Sequence, residues 1–110
     1  MSIVHGFDWD GGNWPKCGKH GVTREEIESL FEAEPWIFPD EKHSETERRF
    51  LAIGISHSGR HVFVAFTLRE RDGKKLIRPI SARYMHAKEV RHYERQRRKR
   101  PQTDPEADDG

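Results

Sequence analysis

Arg78, Ser81 and Arg83 lie close together in "LIRPISARY", and Glu89, His92 and Tyr93 follow in "HAKEVRHYE". Guanidinium groups take phosphate oxygens in a bidentate fork. A lysine, histidine, glutamate or tyrosine within reach moves protons. Lys19 and His20 in "CGKHG" and Arg69 in "FTLRE" add groups of the same kinds. Such a set suffices for metal-free RNA cleavage, in which the ribose 2′-OH attacks the adjacent phosphorus and cations hold the developing charge. Each residue also has a plainer reading. His20 with Gly21 turns the chain into a helix. Arg78 is an exposed strand residue paired with Glu70. Glu89 pairs with Arg83 or Arg97 at little energetic value. Tyr93 packs on a sheet with its hydroxyl in water.

Other chemistries are poorly supplied. The seven histidines are joined by one cysteine, without HExxH or paired-cysteine spacing, so no metal site is expected. His57 and His61 are four apart across a turn, where helical geometry does not apply. Cys17 lacks a strong pKa-lowering neighbour and reads as a buried or loop cysteine. There is no GxSxG and no phosphate-binding glycine loop, and no cofactor is expected. A lone cysteine excludes an internal disulfide and fits a reducing cytoplasm. No apolar run approaches the ~20 residues of a membrane span, and no signal peptide is visible.

The elements that must position these residues follow from the pattern. "HGFDWD" alternates as a short edge strand, and "GGNWPKCGKHG" is a structured loop pinned by Trp14. Thr23 with Glu26 three residues on marks a helix start, and Ile27, Leu30 and Phe31 give that helix one apolar side to about Ala33. "WIFP" is a short strand. "RRFLAIGIS", "HVFVAFTLR" and "KLIRPISAR" are three strands, joined by the turn signals "HSGR" and "RDGK" into an antiparallel meander over residues 48–84. A last helix runs from about His86 to Arg97. The expected fold is α+β: an antiparallel sheet of three to four strands, packed against an N-terminal and a C-terminal helix and covered on one face. Residues 1–97 form one domain, and 98–110 a charged, disordered tail. Pro79 makes the last strand an edge or gives it a bulge. By parity Arg78 and Arg83 face opposite ways unless that bulge resets the register.

Charge is unevenly distributed. The 110 residues carry a net +1, yet residues 69–100 hold 13 basic and 4 acidic residues, while residues 23–49 hold 4 basic and 9 acidic. A basic face of this kind suits a nucleic acid or an acidic protein. The plainer reading is a solvated helix followed by an acidic tail.

"FDWD", "KHGV", "ERRFLAIG", "FTLR" and "IRPISARYMHAKEVRHYE", in this order, closely resemble the BrnT family of type II toxin–antitoxin toxins, over residues 7 to about 95. The resemblance implies a RelE-like fold and a metal-independent ribonuclease of the mRNA interferase type that halts translation. It also implies a BrnA-like ribbon-helix-helix antitoxin that dimerises, builds a higher-order complex and represses the operon. By position it implies catalytic roles for Lys19, His20, Arg69, Arg83, Glu89 and Tyr93, and RNA binding by Arg78 and Ser81; His92 joins the RNA-binding set from its residue type and place on the same helix. The chain departs from the pattern at "GGNWPKCG", where family members carry a first helix bearing a Lys and an Asn. Two other functions stay open: a non-catalytic antitoxin-binding module acting in autoregulation, and a basic nucleic-acid binder using "RQRRKR".

Overall fold

In the computed structural model, residues 5–43 and 46–99 are described. Five strands form one mixed sheet: β1 (Gly6–Phe7), β2 (Trp36–Pro39), β3 (Arg49–Ile55), β4 (His61–Arg71) and β5 (Lys74–Tyr84). Their spatial order is β1-β5-β4-β3-β2. Two helices flank them, α1 (Arg24–Glu32) and α2 (Ala87–Lys99). The expectation of three to four antiparallel strands is corrected at the N-terminus. There β1 adds a fifth strand, parallel to β5, because the chain enters beside β5 in the same direction. The β2-β3-β4-β5 pairings are antiparallel as expected. The final helix reaches Lys99, past the point where the tail was expected to begin. Residues 100–110, most of that tail, lie outside the described residues.

Local chemistry fixes these elements. Thr23 Oγ1 accepts the Glu26 backbone N–H at 3.0 Å, which caps α1. Asp72 and Gly73 both take positive φ, 53° and 77°, as the tight turn between right-twisted strands requires. In β5, Ser81 pairs with Ala65 but Pro79 pairs with Phe66, so Ile80 is the extra residue of a bulge. Pro79 lacks a donor and tolerates this position, while its carbonyl accepts Asn13 Nδ2 at 2.9 Å. With β1 on its outer side, β5 is a bulged inner strand rather than an edge.

Side chains alternate along strands, and cross-strand partners share a face. One face carries Ala52, Val62, Val64, Phe66, Ile77 and Ala82, packed against Ile27 and Leu30 of α1 and against Cys17 and Val22 of the loop. Ile27 and Leu30 are fully buried, each stabilising the fold by about 1.5–3 kcal/mol. The opposite face carries Trp36, Ile53, His61, Phe63 and Arg83. There α2 lies across one end, with Tyr93 ring contacts to Trp36 at 4.8 Å and His61 at 5.5 Å. The sheet is therefore covered on one face by α1 and partly on the other by α2, not on one face alone.

Candidate functional site

The bulge at Ile80 decides which way the arginines point. Phe63, Ala65, Thr67 and Arg69 alternate along one face of β4. Their partners on β5 are Arg83, Ser81, Arg78 and Leu76. One extra residue therefore brings Arg78 onto the face that carries Ser81 and Arg83, where parity alone would have put it behind the sheet.

Arg83 is the centre of this face. Its guanidinium lies 4.4 Å from the Phe63 ring centroid. It donates through both terminal nitrogens to the two Glu89 oxygens, each at 2.9 Å. Glu89 also accepts the His86 backbone N–H at 2.8 Å, closing the first turn of α2. The Arg83 hydrogen bonds, then that N–H, lower the Glu89 pKa to about 2. Glu89 is thus a carboxylate throughout the physiological range, and a weak base. The same hydrogen bonds raise the Arg83 pKa.

A pocket of about 240 Å³ opens beside this pair, lined by His20, Ser81 and Arg83 together with Leu51, Phe63 and Ala65. His20 arrives from the loop before α1. A larger groove of about 760 Å³ adjoins it, lined by Trp36, Phe38, Phe63, Glu89, His92 and Tyr93 among others. Phe63 belongs to both. The two hollows and the Arg83–Glu89 pair form one continuous surface.

The remaining expected residues are placed differently. Lys19 is exposed and lines neither hollow. Arg69 shares the face of Arg83 but stands six residues away along β4, roughly 20 Å at strand spacing. It is held by Glu47 at 2.8 and 3.2 Å. Arg78 is 12% exposed and is held by Asp8 at 3.3 Å and by Asp10 at 3.0 and 3.1 Å, not by Glu70. It fastens the N-terminal loop to β5. That hydrogen bond, with the Gly12 N–H, lowers the Asp10 pKa. Tyr93 is buried at the groove's edge, and burial raises its pKa. His92 is exposed beside it.

Some features escaped the sequence. Phe63 lies beneath Arg83 because the two are cross-strand partners, a pairing that needs the bulged register. Trp36 and Phe38 fall on one side of "WIFP" by simple alternation, which was legible, but their meeting with α2 was not. Glu26 reaches back to the Thr23 backbone N–H at the start of its own helix, and it also accepts from Ser56, Ser58 and Tyr84 across the sheet end. Burial opposes its ionisation, but those three hydroxyls and the cap outweigh it and lower its pKa. Cys17 is buried, which pushes its thiol pKa up to about 11 and leaves it a poor nucleophile. Among the described residues no group of three His, Cys, Asp or Glu could hold a metal ion. No described helix is long and apolar enough to cross a membrane.

A family model described as the ribonuclease toxin BrnT of type II toxin–antitoxin systems matches residues 9–89, and that class implies an RNA target and an antitoxin partner. The chain belongs to the BrnT family. The matched segment contains the loop with His20, all of β5 and the Arg83–Glu89 pair. No curated protein matches the chain.

Proposed function

We propose that the chain cleaves RNA without a metal, in the manner of an mRNA interferase, at the pocket shared by His20, Ser81 and Arg83. That shared pocket is the observation that carries the reading. A scissile phosphate there meets the Arg83 guanidinium, which displaces its own Glu89 contact to take two phosphate oxygens. His20 takes the proton of the ribose 2′-OH. The 2′-oxygen bonds to phosphorus, the bond to the 5′-oxygen breaks, and that oxygen leaves as a hydroxyl by taking a proton from water, while His20 returns its proton to solvent. The products are a 2′,3′-cyclic phosphate and a 5′-hydroxyl. Arg83 holds the charge that builds on the phosphorane. Ser81 orients an oxygen of the same group. Glu89 holds Arg83 in place between turnovers. Lys19, Arg69 and Tyr93 have no step in this scheme, and Arg78 supports the strand. The antitoxin is a BrnA-like ribbon-helix-helix protein that covers this face, and the fold is RelE-like. End-group analysis of RNA incubated with the protein and a chelator tests the scheme. Cyclic phosphate and 5′-hydroxyl ends support it; 5′-phosphate ends, or cleavage only with added metal, refute it.

A second reading has one observation in its favour. Arg69, Arg78 and Arg83 are each already matched by carboxylates: Glu47, Asp8 with Asp10, and Glu89. A non-catalytic module that binds its antitoxin and acts in autoregulation needs no free cation. Tight antitoxin binding with no RNA cleavage and no growth arrest on expression would establish it.

A further inference from the structure

The groove beside the Arg83 pocket has no part in the scheme above. It is rich in aromatic rings, with Trp36, Phe38 and Phe63 on the sheet side. Along α2 it is bordered by Lys88, His92 and Lys99. Phe38 is 40% exposed, unusual for a phenylalanine in a chain this polar. Its volume, about 760 Å³, falls within the roughly 300–1,000 Å³ of small-ligand sites. We propose that this groove is a nucleobase subsite, which seats a base of the RNA strand whose phosphate lies at Arg83. The proposal rests on the ribonuclease reading and names the part of the substrate that reading leaves unplaced.

Three observations converge on a base rather than on a protein side chain. First, Phe63 lines both hollows and carries Arg83 on its ring. A strand held at the phosphate therefore has its bases next to the groove. Second, stacked aromatic faces with cations beside them are the recurring surface for single-stranded nucleic acid, because every base has a π-face and every linkage a charge. Third, among the described residues lining the groove Lys88 and Lys99 outnumber the one acid, Glu89, so the border presents net positive charge to an incoming strand even when Arg83 has let go of Glu89. The Trp36 ring packs against Tyr93 at 4.8 Å, which fixes its orientation in the groove wall.

Binding of end-labelled 2′-O-methyl oligonucleotides, which cannot be cleaved by 2′-OH attack, tests this by fluorescence anisotropy. One probe carries bases; a second of equal length is abasic and keeps only the charge. The wild-type protein is expected to bind the base-bearing probe roughly tenfold more tightly or better. Phe38→Ala, at an exposed edge position, is expected to close most of that gap while leaving abasic affinity unchanged. Trp36→Ala should do the same and Trp36→Phe should restore the gap, with thermal melting used to verify folding. Equal binding of both probes by the wild type overturns the subsite. So does a gap that survives in folded Phe38→Ala and Trp36→Ala, which would place the base contacts elsewhere on the molecule. Arg83→Ala separates the two claims: it should weaken both probes alike. If it changes neither binding nor cleavage while the gap persists, the cleavage scheme fails and the subsite stands.

Discussion

Glu89→Gln is the most discriminating single change, because Glu89 is the residue in closest contact with Arg83. Gln keeps the size of the side chain and still accepts the His86 N–H, so the start of α2 is preserved. What is lost is the charge opposite Arg83. The two side chains are 40% and 33% exposed, and an ion pair that open to water is worth at most about 1 kcal/mol. The melting temperature should therefore fall only slightly. The same ~1 kcal/mol is what an incoming phosphate must overcome to displace Glu89 from Arg83. Removing it should tighten RNA binding about fivefold, read as a lower KM. With a pKa of about 2, Glu89 is no proton donor near neutrality. The pH profile of kcat above pH 5 should keep its shape. A steady-state assay on a short fluorogenic RNA in chelator, across pH 5–9, measures KM and the pH profile of kcat, and a thermal melt measures the first quantity. A fall in kcat of roughly 100-fold or more, or loss of a limb of the pH profile, would refute the reasoning and make Glu89 a proton-transfer group.

His20→Ala should lower kcat by roughly 100- to 10,000-fold with little change in KM, as loss of a general base does; single-turnover cleavage measures it, and an unchanged rate would return the choice to Lys19 or Tyr93. Glu26→Gln should cost about 1–3 kcal/mol at pH 7, since three hydroxyls from across the sheet end lose an ionised acceptor. Because the folded-state pKa of Glu26 lies below the ordinary glutamate value of 4.5, its contribution is complete above about pH 4.5 and is lost as pH falls through the folded value. Denaturant melts at pH 7 and pH 3 should therefore show a smaller difference between mutant and wild type at the lower pH. An equal difference at both would contradict that assignment.

The meander was legible because its signals are local. Asp72-Gly73 dictates a tight turn, and "HVFVAFTL" is apolar on both sides, as the central strand must be. α1 was legible from Thr23, Glu26 and the Ile27–Leu30–Phe31 stripe. The short edge strand in "HGFDWD" was legible too, as β1, but its parallel pairing with β5, far along the chain, was not. The site divides along the same line. That Arg78, Ser81 and Arg83 belong to one strand is plain from sequence, and Pro79 flagged the bulge. The bulge that turns Arg78 to the same face is local to the β4–β5 hairpin, but that Asp8 and Asp10 then claim it depends on contacts 70 and 68 residues apart. Arg69 and Arg83 look alike in sequence; only the β4–β5 register shows that they share a face yet lie too far apart to grip one phosphate.

Single-turnover cleavage of RNA by Arg83→Ala in chelator tests the assignment most directly, with Arg83→Lys and a melting curve alongside. Metal-free cleavage centred on this guanidinium requires a folded Arg83→Ala protein with a rate lower by at least about 100-fold, and only partial rescue by lysine, which offers no planar fork. A folded Arg83→Ala protein that cuts RNA at the wild-type rate would place the chemistry elsewhere on the molecule.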